Sequence, residues 1–101
     1  MKNGFRIRWT DNALKELGET IAFLETYWTE KELRQLSNAL DKTLNLISQN
    51  PYLFQSSDFK NDIRRAVILS LNSLYYRIKD QDVEILSFFS NRQKPTKRKL
   101  K

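Results

Sequence analysis

The stretch YWTEKEL, residues 27–33, separates two amphipathic patterns and decides how the chain folds. Thr29 followed three positions later by Glu32 has the form of a capping box, in which a hydroxyl and a carboxylate satisfy free N–H groups at a helix start. A helix therefore begins at once after another one ends. Upstream, Thr10 offers an N-cap with Asp11 in the first turn, and Leu14, Leu17, Ile21, Leu24 and Trp28 recur at spacings of three and four. Gly18 is a weak point in that helix, costing about 1 kcal/mol relative to Ala. Downstream, Leu33, Leu36, Leu40, Leu44 and Ile47 form a second apolar stripe, which Asn50 and Pro51 end because the proline ring disfavours helical geometry at the residue before it. With so short a connection the two helices are expected to fold back as an antiparallel hairpin.

Strand patterns flank the hairpin. Phe5–Trp9 alternates, with Phe5, Ile7 and Trp9 on one face and Arg6 and Arg8 on the other. After a loop over residues 50–62, with Leu53, Phe54 and Phe59 expected beneath it, three runs rich in β-branched and aromatic residues follow: Ile63–Leu71, Leu74–Ile78 and Val83–Phe89. Asn72-Ser73 and Lys79-Asp80-Gln81-Asp82 read as the turns of an antiparallel meander. Trp9, Phe23, Trp28 and Phe54 are expected in the core. The order β-α-α-β-β-β predicts an α+β fold, a helical hairpin packed on one face of a small twisted, antiparallel-dominated sheet.

The 101 residues, 40% hydrophobic, suffice for one modest core, and no Gly-, Ser- or Pro-rich tract suggests a linker. The net charge of +6 is concentrated: residues 1–91 hold 12 Lys+Arg against 12 Asp+Glu, and the excess lies in Arg92, Lys94, Lys97, Arg98, Lys99 and Lys101. We therefore divide the chain into a neutral domain, 1–91, and a basic tail, 92–101, suited to anionic partners. The chain has no Cys and no His. Disulfides and thiolate metal sites are excluded, and the usual metal ligand and the usual base near neutral pH are lacking. No metal or other cofactor is expected. The start MKNGFRIRW lacks a signal-peptide core and no run is long enough to span a membrane, so a cytoplasmic protein without membrane partners is expected.

This order of elements, together with "NPYLF", "IRRAVI", "LYYRI" and "VEILSFFSNRQKP", resembles the RelE/ParE superfamily of toxins from type II toxin-antitoxin modules. The likeness covers nearly the whole chain. It implies a small bacterial protein that arrests growth, is associated with plasmid stabilisation, and is neutralised by an antitoxin encoded beside it. Within the superfamily, RelE-like members cut mRNA in the ribosome, whereas ParE-like members poison DNA gyrase.

Metal-free RNA cleavage needs a proton acceptor for the 2′-hydroxyl, cations for the phosphorane, and an acid for the leaving oxygen. Against the RelE-like pattern, Arg64 or Arg65 falls near a basic position at the start of the second strand, and Arg92 near the Arg after the last strand. These three are the candidate catalytic residues of a nuclease. The pattern's Arg before the Tyr-containing strand is replaced by Asn72-Ser73, and its catalytic Tyr or His beyond the last strand by Phe88, Phe89, Ser90 and Asn91. The missing groups favour a ParE-like gyrase poison over the alternative, a ribosome-dependent mRNA endonuclease. A further alternative is a non-toxic basic nucleic-acid-binding module that stacks bases on Phe88 or Phe89.

Tyr75 and Tyr76 are neighbours on a strand, so they face opposite ways and read as packing residues. Arg77 is placed to pair with Glu84 across strands. Candidate residues for binding a target or an acidic antitoxin are Arg64, Arg65, Arg77, Phe88, Arg92 and Lys94. An unpaired sheet edge and these cations would suit an acidic segment that folds on binding, covering the sheet around Arg64, Arg77 and Arg92.

Overall fold

The computed structural model describes residues 4–27, 29–56, 62–69 and 72–90. Its elements are β1 (Arg6–Trp9), α1 (Asp11–Tyr27), α2 (Glu30–Gln49), β2 (Arg64–Ile68), β3 (Asn72–Lys79) and β4 (Asp82–Ser90). Trp28, Phe59, Arg92, Lys94 and the basic tail lie outside the described residues.

Thr10 starts α1 as expected: its hydroxyl accepts from the Ala13 amide at 3.2 Å and donates to the Ile85 carbonyl at 2.8 Å. One side chain thus both caps the helix and pins it to β4. The buried face differs from the leucine stripe. Ala13, Thr20 and Leu24 are enclosed, while Leu14 is 51% exposed. Ala13 and Leu17 are four residues apart, as are Thr20 and Leu24, so they stack on one side of the helix, with Leu14 turned off it. The small Ala13 permits close approach to the sheet, and Thr20 enters the core because its hydroxyl donates to the Glu16 carbonyl at 3.1 Å.

The box at Thr29 forms. Glu32 accepts from the Thr29 amide at 3.1 Å and from its hydroxyl, and these bonds hold the Glu32 carboxyl below its usual range. From α2, Leu36, Leu40 and Ile47 are buried, with Leu33 and Leu44 packed beside them. The helix closes with the Asn50 amide donating to the Leu46 carbonyl at 2.9 Å, and Pro51 is buried immediately after. In the following loop Phe54 packs against the core, but Leu53 is 51% exposed. Phe54, not Leu53, occupies the space under the loop.

The four strands form one sheet of order β1-β4-β3-β2. β2, β3 and β4 are the expected antiparallel meander, and β1 lies parallel to β4, with Arg6 opposite Asp82 and Trp9 opposite Ile85. The hairpin carries the chain from β1 to the far edge, and the meander returns it. Between β3 and β4, Asp80 takes the left-handed conformation, φ 57°, which Asp tolerates better than most residues. Asn72-Ser73 is not a turn. Both residues are buried at the start of β3, Asn72 opposite Ile68 and Ser90, and the left-handed residue is Leu69, φ 53°. The Asn72 side-chain amide donates to the Ile68 carbonyl at 3.0 Å, so this turn-forming residue has a bond inside the sheet.

A bulge in β4 decides which side chains enter the core. Tyr75 pairs with Ser87 and Tyr76 with Ile85, leaving Leu86 as the extra residue. Before it Val83 and Ile85 point inward; after it Phe88 and Ser90 do. β1 stops opposite Ile85, and from there α1 serves the free edge of β4. Thr10 N–H donates to the Ile85 carbonyl at 3.1 Å, Asn12 Nδ2 to the Leu86 carbonyl at 3.0 Å, and Glu16 Oε1 accepts from the Phe88 amide at 2.9 Å and the Ser87 hydroxyl at 2.7 Å.

Candidate functional site: the open face of the sheet

The helices cover one face of the sheet, and among the described residues nothing packs over the other. Strand alternation sends Tyr76 and Ile78 of β3 toward the helices and Tyr75, Arg77 and Lys79 toward the open side. This face has two zones. At one end Ile63, Tyr75, Leu86, Ser87 and Phe89 line an apolar groove of about 350 Å³. At the other, Arg6 lies opposite Asp82 and Asp82 opposite Lys79, while Arg8 lies opposite Glu84 and Glu84 opposite Arg77. Each carboxylate therefore stands between two cations.

The candidates named from the sequence separate. Arg77 is on the open face, its Nε donating to Glu84 Oε1 at 2.8 Å, as the cross-strand pairing predicts. That bond and the charge of Arg77 hold the Glu84 carboxyl below its usual range. Arg65 is also on this face, exposed, with Nε donating to Ser73 Oγ at 3.2 Å. Arg64 points the other way. Its Nη1 donates to the Phe54 carbonyl at 2.6 Å and its guanidinium lies 5.2 Å from the centre of the Tyr52 ring. It secures the loop after α2 and does not join Arg65 and Arg77.

Phe88 is fully buried, whereas Phe89 is 37% exposed at the groove. The expectation that Phe88 meets a partner is therefore corrected: the bulge turns it inward, and Phe89 is the aromatic residue presented. Arg6 and Arg8 received no role from the sequence. Their signal was the matching alternation of Arg6 and Arg8 with Asp82 and Glu84, which becomes a pairing only once β1 is known to lie beside β4.

Among its described residues the open face presents cations and apolar groups, and Tyr76 lies outside it, toward the helices. The Tyr76 hydroxyl is buried, donates to the Pro51 carbonyl at 2.7 Å, and is pushed up to about 12 by burial. Asp82 and Glu84 are both ion-paired. Among the described residues no group of three His, Cys, Asp or Glu side chains is placed to hold a metal ion, and no helix is long and apolar enough to cross a membrane.

The fold and sequence have relatives. Residues 7–95 match the family model described as the ParE toxin of the type II toxin-antitoxin system, parDE. The chromosomal ParDE toxin-antitoxin system from P. aeruginosa contains a chain of similar structure, with a TM-score of 0.70 at 12% identity over 85% of this chain and 95% of that one. A conserved hypothetical protein from Helicobacter pylori matches with a TM-score of 0.56 at 16% identity, over 87% and 96% of the two chains. A copper-bound mutant toxin from Helicobacter pylori matches at 0.55 and 17%, over 89% and 98%. No curated protein matches by sequence. The helical hairpin on its four-stranded mixed sheet and the family match over nearly the whole chain lead to one assignment: the chain belongs to the ParE toxin family of type II toxin-antitoxin systems.

Proposed function

We propose that this protein arrests bacterial growth by acting on DNA gyrase, and that a cognate antitoxin neutralises it by covering the open face of the sheet. The observation that carries the first part is that, among the described residues, the carboxylates Asp82 and Glu84 of this face are held in ion pairs, with Glu84 weakened as a base beside Arg77, while Tyr76 lies on the other face with its proton held. A metal-free RNA cleavage needs a proton acceptor near neutral pH. Binding to a protein target needs only a shaped surface.

For the antitoxin, the apolar groove beside Arg65 and Arg77 offers anchoring positions for apolar side chains with cations at the rim. An acidic segment that folds on binding complements that layout. The test is induction of the chain in a bacterium, with and without the short reading frame adjacent to its gene. We expect growth arrest with DNA-damage signalling, relieved by the neighbouring frame. Codon-phased mRNA cuts would replace gyrase by the ribosome as target, and unimpeded growth would remove both. Paired Arg65→Glu and Arg77→Glu substitutions are expected to weaken neutralisation; full neutralisation would refute the proposed antitoxin site.

A further inference from the structure

We propose that the charged end of the open face, Arg6, Arg8, Arg77 and Lys79 over Asp82 and Glu84, is a docking surface for the phosphodiester backbone of duplex DNA. Four cations stand against two carboxylates in register across β1, β4 and β3, with Asp62, just before β2, a third carboxylate that acts on Arg77. The cations are also the outer layer. The side chains of Arg6, Arg8 and Arg77 are 73%, 66% and 44% exposed, against 20% and 26% for Asp82 and Glu84. An approaching ligand therefore meets guanidinium groups first.

The bonding within the ladder leaves donors available. Arg6 and Arg77 reach their carboxylates through Nε, at 2.7 and 2.8 Å, and Arg8 lies 3.5 Å from Asp82 through Nη1. Holding a guanidinium by Nε fixes its plane and leaves its Nη groups for oxyanions, the geometry that suits phosphate. Strand spacing sets the footprint: β1 to β3 spans roughly 10 Å and residues two apart on a strand roughly 7 Å. That is room for a few consecutive backbone phosphates.

Duplex DNA fits this surface better than the other polyanions. The aromatic rings of this face, Tyr75 and Phe89, lie in the groove and not among the four cations, so a single strand held by the ladder would have no ring between its contacts on which to stack its bases. A duplex offers a continuous line of fixed charge, whereas an acidic peptide would have to immobilise a flexible side chain for every contact. The inference concerns naked DNA and the toxin chain alone, so it stands or fails separately from the choice of gyrase as target.

The test is fluorescence anisotropy with the full chain and a labelled mixed-sequence duplex over a potassium chloride series. Each phosphate contact contributes about −0.9 to the slope of log affinity against log salt. Arg6→Gln with Arg8→Gln is expected to flatten the slope by about 1 to 2 and to weaken binding roughly tenfold at low salt. Asp82→Asn breaks the same ion pairs while keeping every cation, so binding should tighten. Loss of binding in Asp82→Asn as well would mean that detachment of β1 is responsible, and would overturn the proposal. So would an unchanged slope in the double Gln variant when Lys97→Gln, Arg98→Gln and Lys99→Gln abolish binding, because the tail would then carry it alone. Tighter binding of a single strand, or displacement of DNA by an equal charge of polyglutamate, would refute duplex DNA as the partner.

Discussion

Replacing Tyr76 by Phe removes a single oxygen from a ring that is fully enclosed in the core. The hydroxyl donates to the Pro51 carbonyl at 2.7 Å, tying β3 to the loop after α2. Because the ring remains, no cavity opens, and the cost is a lost hydrogen bond plus a carbonyl left unpaired, together about 2 kcal/mol. For a domain of this size that is a fall in melting temperature of roughly 10 °C. The pH dependence is more diagnostic. Tyr76 titrates near 10 when unfolded and is pushed up to about 12 in the folded protein. Below pH 10 it is protonated in both states and its contribution is intact. Between pH 10 and 12 the unfolded chain loses the proton while the folded one keeps it, so stability falls with rising pH through that window. Thermal melts followed by circular dichroism, from neutral pH to about pH 12, should show Tyr76→Phe less stable at neutrality and the gap closing through that window. Every other ionisable group is common to both proteins, so the difference between the curves isolates Tyr76. Equal melting temperatures at neutral pH, or curves that stay parallel, would refute this account. Growth arrest should persist in a Tyr76→Phe variant that still folds; its loss at unchanged stability would make Tyr76 a reacting group and revive the nuclease.

Three further substitutions test the architecture. Glu16→Ala leaves the Phe88 amide and Ser87 hydroxyl without their acceptor, and should cost about 1–3 kcal/mol, with hydrogen exchange accelerated at Phe88. Phe88→Ala should cost about 3–5 kcal/mol in denaturant unfolding, whereas Phe89→Ala should change stability little and weaken antitoxin binding in calorimetry; the reverse ranking would show that the bulge is misplaced. Gly18→Ala places a methyl group where nothing lies within 4 Å, and should stabilise the protein by about 1 kcal/mol, read as a rise in melting temperature.

The two helices were legible because their information is local. A capping box at Thr29, an N-cap at Thr10, and Pro51 after α2 each act within a few residues of themselves. The same locality explains the success with the β3–β4 turn and with the pairing of Arg77 and Glu84, which lie seven residues apart on a hairpin. The pattern misled where tertiary packing enclosed a polar residue whose hydrogen bond was met within four residues of it. Asn72 and Ser73 read as a turn because they are polar, yet strand pairing buries them and gives the Asn72 amide an acceptor. Thr20 displaced Leu14 from the buried face of α1 in a comparable way, by bonding to its own helix.

The amino-acid pattern by itself therefore determined the element order, the helical hairpin and the meander, which follow from short-range periodicity and punctuation, whereas the toxin superfamily rested on resemblance and on the family match. Tertiary structure alone decided the composition of the open face. Strand periodicity states that neighbours face opposite ways but not which way, and one extra residue in β4 reverses the answer for every position after it. That reversal enclosed Phe88 and presented Phe89. The parallel pairing of β1 with β4 joined Arg6 and Arg8 to Asp82 and Glu84, more than seventy positions away. No local signal encodes such a meeting, because it depends on which strand edge remains open once the helices and the meander have packed.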